Sequence, residues 1–264
     1  MFVFLHIPKA AGTSFRFILE NTFGVRHCHA PHCRSKRFSA DDLARARRFF
    51  PGLKSLAGHN LVDPLALPVP APFYMTMLRD PVVRVVSKYQ DSVLRGGNTR
   101  SFEQTILDED RFRNYQVKKI AGAEDLEKAK RDIARFHFVG LTERFDLSLH
   151  LLGRVTPEPL NLNYRKYVIP KNDRVKNEVL ADGAKLAFAR EHNALDIELH
   201  RYVVEEVFPE RCRRVGLEPD ASVPTFNTYT HDFRWRYRTG RLWNKVYRAA
   251  HTRVPGRRSP APAS

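Results

Sequence analysis

Three cysteines, Cys28, Cys33 and Cys212, are all that this 264-residue chain contains. They are too few, and odd in number, for a disulfide framework. No run of about 18 uncharged apolar residues occurs, so no membrane-spanning helix is expected. The apolar start, Phe2 to Ile7, is too short for a signal peptide and has neither a basic leader nor a cleavage site, so the chain reads as cytoplasmic and complete from Met1. No internal repeat is present. Acidic residues are scarce: 29 Asp and Glu stand against 45 Lys and Arg, a net charge of +16. That imbalance favours polyanionic partners, whether nucleic acid, acidic polysaccharide, anionic lipid or a phosphorylated cofactor, without saying which.

What is present supports a sizeable core. Apolar residues make up 42% of the chain, with 18 Phe and 9 Tyr, which excludes general disorder and suits one α/β domain with an extension. Phe2–Ile7 reads as a buried strand and Thr13–Phe23 as a helix stopped by Gly24. Residues 25–40 read as a loop. Ala40–Phe50 follows as a helix with Ser39 as N-cap, then Leu53–Ala57 as a short strand. After a proline-broken loop, Phe73–Leu78 is a second apolar strand. Asp80 and Pro81 then open a helix in which Val82, Val83, Val86, Tyr89 and Val93 recur at helical spacing up to Gly96-Gly97. Phe136–Gly140 reads as a strand and Thr142–Leu152 as a helix. A helical stretch from about 173 to 214 is broken near Gly183 and His192-Asn193. Strands alternating with helices predict a single α/β domain, a central, mostly parallel sheet flanked by helices.

The C-terminal part differs. From Pro219 apolar periodicity fades, and from Arg234 arginines interleave with Trp235, Tyr237, Trp243 and Tyr247. This divides the chain into residues 1–218, carrying the chemistry, and a solvated basic extension, 219–264, whose last residues are expected to be disordered.

Candidate chemistry sits at three strand ends. The first strand delivers Lys9, followed by Ala10, Ala11, Gly12, Thr13 and Ser14; later strands deliver His59 and Arg79. Ligands of open α/β sheets bind outside such ends. Small residues before a helix suit a backbone cradle for an anion, or an ordinary helix start capped by Thr13 or Ser14; the adjacent lysine favours the anion. The lysine precedes the glycine, whereas in the common ATP-binding loop it follows. Arg79 fits either a surface ion pair with Asp80 or a bidentate grip on a phosphate. Ser87, two turns into the next helix, is a core-edge residue or a hydroxyl donor. His59 is a structural histidine or a general base. His27-Cys28-His29 and His32-Cys33 cluster, but with no second ligand pair far along the chain they read as a His-rich surface loop, and no metal site is expected.

Two of these segments together carry a family resemblance. "HIPKAAGTS" resembles the 5′-phosphosulfate loop of sulfotransferases that use 3′-phosphoadenosine-5′-phosphosulfate (PAPS), and "LRDPVVRVVSKY" resembles their 3′-phosphate motif. "AGHN" is similar to the segment bearing the base in the carbohydrate branch that includes heparan sulfate 2-O-sulfotransferase. "NYQVKKIAG", "FVGLTERFDLSLHLL" and "LDIELHRYV" are similar to later landmarks, so the resemblance covers about residues 1 to 210. It implies a phosphate-loop-like sulfotransferase fold and sulfuryl transfer from PAPS to a hydroxyl of a carbohydrate or glycolipid, leaving 3′,5′-ADP, with no metal. Lys9 would touch the bridging oxygen and sulfate, and the backbone of Ala10 to Ser14 the 5′-phosphate. Arg79 and Ser87 would hold the 3′-phosphate and His59 would be the base. A second histidine of the heparan enzyme, two places before the base, is Ala57 here, so acceptor handling differs.

Two rival readings remain. A nucleotide kinase or NTPase on the related fold lacks the Gly-Lys-Ser/Thr order and a strand-end carboxylate for Mg²⁺. A nucleic-acid-binding protein would account for the charge and the Arg/aromatic tail; the motifs lead us to expect no nucleic acid. The acceptor is anionic if the excess charge borders its cleft. Candidates for that border are Lys36 and Arg37, the loop 160–174 with Asn163, Arg165, Lys166 and Lys171, and the run from Arg234 to Arg241.

Overall fold

The computed structural model describes residues 1–30, 37–164, 173–226 and 235–251. His32, Cys33, Lys36, Arg165, Lys166, Lys171, Arg234 and the tail expected to be disordered lie outside the described residues. The elements run β1 (Phe2–Leu5), α1 (Gly12–Phe23), β2 (His27–His29), α2 (Ala40–Phe49), β3 (Ser55–Gly58), β4 (Phe73–Leu78) and α3 (Pro81–Gly96). They continue α4 (Phe102–Asp108), α5 (Tyr115–Ala121), α6 (Leu126–Ala134), β5 (Phe138–Leu141), α7 (Phe145–Val155) and α8 (Arg174–Leu180). The last are α9 (Gly183–Glu191), α10 (Ala194–Tyr202), α11 (Phe208–Arg214) and α12 (Trp235–His251).

The five strands among the described residues make one sheet in the order β2-β3-β1-β4-β5, and every neighbouring pair is parallel. Every residue of β1, β3, β4 and β5 is buried, as a sheet covered by helices on both faces requires. The chain leaves β1 towards β2 on one side of the sheet and leaves β4 towards β5 on the other. The carboxyl ends of β1 and β4 therefore flank a topological switch point, where open α/β sheets form their ligand crevice.

Local signals act as expected in most elements. Ser39 forms a reciprocal capping box with Asp42, and the Asp80 carboxylate accepts from Val83 N at 2.8 Å ahead of Pro81. Gly24 and Gly97 end α1 and α3 with positive φ.

Two expectations are corrected. Residues 27–29 are not a surface loop but an edge strand paired with β3, and His27 and Cys28 are fully buried. Nor is the segment from 235 to 251 solvated on all sides. It is a helix whose Tyr237, Asn244 and Tyr247 are buried, Tyr247 against Phe49 and Phe50. Gly240 lets α12 approach closely: a Cβ there would lie 2.6 Å from Gly24 O. The Asn244 carboxamide accepts from His29 N at 2.7 Å and donates to His27 O at 2.8 Å, in place of a sixth strand on the open edge of β2.

Candidate functional site

Immediately after β1 the chain makes a tight turn, with Ala10 N donating to Ile7 O at 3.3 Å. Lys9 (φ 68°) and Ala11 (φ 51°) both take left-handed backbone, which costs L-residues about 1–2 kcal/mol each. Such strain, in two non-glycine residues beside a switch point, is typical of ligand loops. The N-cap of α1 is Ala11 rather than the expected Thr13 or Ser14, and it offers no side-chain oxygen. With no side-chain cap at Ala11, the first turn of α1 presents the positive end of the helix dipole. Ala10 and Gly12 are themselves buried. Gly12 answers to a side chain: a Cβ there would lie 1.9 Å from His6 Cδ2.

His6 is buried and packs against His59, the tilted rings having centroids 3.9 Å apart. His59 Nδ1 lies 3.1 Å from His6 O. A carbonyl only accepts, so Nδ1 carries the hydrogen and the lone pair belongs to Nε2. Burial, then the neighbouring His59, holds His6 well below the usual imidazole range, so the His6 ring is neutral. Lys119, also buried, donates Nζ to the carbonyls of His59 and Leu61 and fixes the turn after β3. Burial, then Arg37, lowers its pKa to about 7.

Arg79 is held from behind and in front. Gln116, buried on α5, accepts from Arg79 N at 3.1 Å and donates to Arg79 O at 2.8 Å. Thr142 Oγ1 donates to Leu78 O at 2.9 Å, and Asp80 N donates to Glu143 Oε1 at 2.8 Å. With its backbone pinned at three successive residues, Arg79 extends Nη1 to Lys9 O at 2.9 Å, joining the loops after β4 and β1. The ion pair with Asp80 is not what engages Arg79, since that carboxylate caps α3. Burial lowers the pKa of the guanidinium, a cost that an anionic ligand would offset.

Lys9, Thr13, His6 and His59 all line one cleft of about 1050 Å³. Sequence reasoning missed the lining residues contributed by α3, α5 and the segment between them. Asp91 on α3 is shared by Lys9 (3.5 Å), Arg95 (3.5 Å) and Lys88 (4.0 Å). Burial lowers the pKa of Lys9 against the opposing pull of Asp91, and burial followed by Arg111 lowers that of Lys88. The cleft walls carry eight Lys and Arg, Arg37 among them, against three Asp and Glu. Lys88 and Lys119 lie in the segments quoted above, but nothing in their local pattern separates them from solvated lysines.

Some expected residues do not line this cleft. Arg79 touches the Lys9 backbone without lining the cleft, and Ser87 is half-buried on α3 outside it, its hydroxyl making no hydrogen bond among the described residues. Asn163 binds Asn161 and is also outside the cleft. The described residues of the run from Arg234 to Arg241 belong to α12, which contributes no residue to the cleft walls. Among the described residues no group of three or more His, Cys, Asp or Glu is arranged to hold a metal ion. No family model matches the chain, and no curated protein matches it.

Proposed function

We propose that this chain is a PAPS-dependent O-sulfotransferase acting on a hydroxyl of a carbohydrate or glycolipid. The single observation that carries the reading is that Lys9 and His59 line the same cleft, beside a helix start with no side-chain cap. The donor set suits a bis-anionic nucleotide. It comprises the ammonium of Lys9, the N-terminus of α1 and a cation cluster held by one carboxylate, Asp91, with which a ligand anion would compete; the pinned Arg79 braces the Lys9 backbone from outside the cleft.

PAPS, when bound, supplies an activated sulfuryl group. His59 Nε2 takes the proton of the acceptor hydroxyl as that oxygen attacks sulfur. Lys9 and the first N–H groups of α1 stabilise the charge developing on the departing phosphate oxygen. Arg79 and Ser87, which the family resemblance assigns to the 3′-phosphate, do not line the cleft, so they would reach that group only from beyond its border. The lysine precedes the small residues because it serves the phosphosulfate bridge rather than a β/γ-phosphate pair.

The test is incubation with sulfur-labelled PAPS and a panel of glycans and glycolipids, with γ-labelled ATP in parallel for the kinase reading. Label from PAPS is expected in product. Lys9→Ala should lower turnover by about 10²–10³-fold, the effect of one transition-state donor. His59→Ala should abolish turnover while 3′,5′-ADP binds as it does to the wild type. Transfer from ATP alone, or full turnover in a folded Lys9→Ala protein, overturns the proposal.

A further inference from the structure

The outer face of α12 is the reverse of what a helix on a water-facing surface shows. Its inward ridge, Tyr237, Gly240, Asn244 and Tyr247, is buried. Trp235, Leu242 and Val246 stand at i, i+7 and i+11, one ridge at about 100° per residue, on the side opposite that buried ridge. They are 79%, 63% and 48% exposed, and with Trp243 they make four of the six exposed large apolar residues among the described positions. Arg238, Arg241 and Lys245 flank the ridge and are exposed. No Asp or Glu occurs from residue 233 to the end of the chain.

From this we infer that α12 seats the protein on an anionic lipid surface, lying in the interface with its Trp–Leu–Val ridge inserted and its basic flank against the headgroups. An apolar ridge bordered by Arg and Lys, with tryptophans near the boundary, is the composition of an interfacial helix. Neutral water leaves the ridge exposed at a cost, and a soluble polyanion would use the arginines but not the apolar side chains. An anionic bilayer satisfies both. No described helix is long and apolar enough to cross a membrane, so the contact is one of lying on the surface. This inference does not depend on the proposed reaction.

The chain carries its own reporter. Its two tryptophans, Trp235 and Trp243, are both on α12, so intrinsic emission reads this helix alone. The full chain is titrated with phosphatidylcholine–phosphatidylglycerol vesicles and with phosphatidylcholine vesicles, following emission and co-flotation. The expected result is a blue shift and flotation with the anionic vesicles, weakened by salt, and little of either with the neutral ones. Leu242→Ser/Val246→Ser, which retains both tryptophans, should lower partitioning at least about tenfold. Arg238→Gln/Arg241→Gln/Lys245→Gln should lower it by about 10²-fold. These residues are exposed, and circular dichroism checks that the variants fold. No blue shift with anionic vesicles, or equal binding to neutral ones, overturns the inference. So does undiminished binding by the Leu242→Ser/Val246→Ser protein, which would make the face a strip for soluble polyanions such as RNA.

Discussion

Gly12 shows how a single missing Cβ sets the geometry of the candidate base. The His6 ring fills the space where that Cβ would be and carries His59 on its other side, through ring contact and through the hydrogen bond from His59 Nδ1 to His6 O. Gly12→Ala should therefore cost about 1–3 kcal/mol of stability, as overpacking of a close-packed site does. Adding His6→Ala should recover part of that loss, so the double mutant should be more stable than the sum of the single effects predicts. Urea unfolding of the four proteins measures this. Strict additivity would mean that the His6 ring moves aside at no cost. Ala11→Gly is the converse case. Glycine relieves left-handed strain at φ 51°, and the protein should gain about 0.5–1 kcal/mol, read as a higher midpoint.

At the level of elements, two carboxamides do work that strands do elsewhere. Asn244 pairs the open edge of β2, and Gln116 pairs both backbone groups of Arg79 just beyond the end of β4. Gln116 is itself held at the start of α5, where Asp196 accepts from Gln116 N at 3.0 Å and Val117 N at 2.8 Å. The N-caps of α5 and α10 also cross-bond: Asn114 N donates to Asn193 Oδ1 and Leu195 N to Asn114 Oδ1, each at 3.1 Å. A path of hydrogen bonds thus runs from α10 through α5 to Arg79 and the Lys9 loop. Gln116→Leu keeps the bulk but leaves the backbone groups of Arg79 without this partner, at about 1–3 kcal/mol for each buried group left unpaired. Calorimetry should show weaker 3′,5′-ADP binding, with a smaller change for adenosine 5′-phosphosulfate, which lacks the 3′-phosphate that Arg79 is proposed to read. Equal losses for the two ligands would place the effect on the fold rather than on Arg79.

For the whole molecule, the buried histidines set a pH limit. His27 is fully buried, Nδ1 to Ser55 Oγ at 3.0 Å, and burial followed by Arg16 lowers its pKa to about 3. Burial likewise holds His6 and His29 well below the usual range, and His29 Nε2 accepts from Arg16 Nη1 at 3.1 Å, which requires the neutral ring. In the unfolded chain these rings protonate near pH 6.5, so below that pH the unfolded state binds more protons. Their contribution to stability is complete above pH 6.5 and is lost as pH falls, for His27 down to about 3. Each such histidine removes up to about 1.4 kcal/mol per pH unit in its window. Urea midpoints should therefore fall steeply from pH 6.5 to pH 5, and His27→Gln should flatten the slope by about one proton. A flat profile would mean that these rings are solvated.

The sequence by itself determined the parts whose cause lies within a few residues. A continuous apolar run makes β4, and a capping box at Ser39 and Asp80-Pro81 open α2 and α3. Strands that stop abruptly deliver Lys9, His59 and Arg79 to their ends, so those three were legible. Tertiary structure alone decided the rest. The sequence His27-Cys28-His29 has no strand pattern and becomes β2 through β3 on one side and Asn244, 215 residues from His29, on the other. Lys88 and Arg95 flank Asp91 at helical spacing within α3, but Lys9 joins them only once the fold brings its loop alongside that helix. Gln116 and His6 act through backbone and ring contacts that no local periodicity encodes. The arginine-rich C-terminus reads as solvated because its buried face is only four narrow positions of a basic helix, and the surface that receives them exists only once the sheet has formed. Propensity and capping act over one turn of chain, whereas pairing, burial and charge sharing depend on what folding brings alongside.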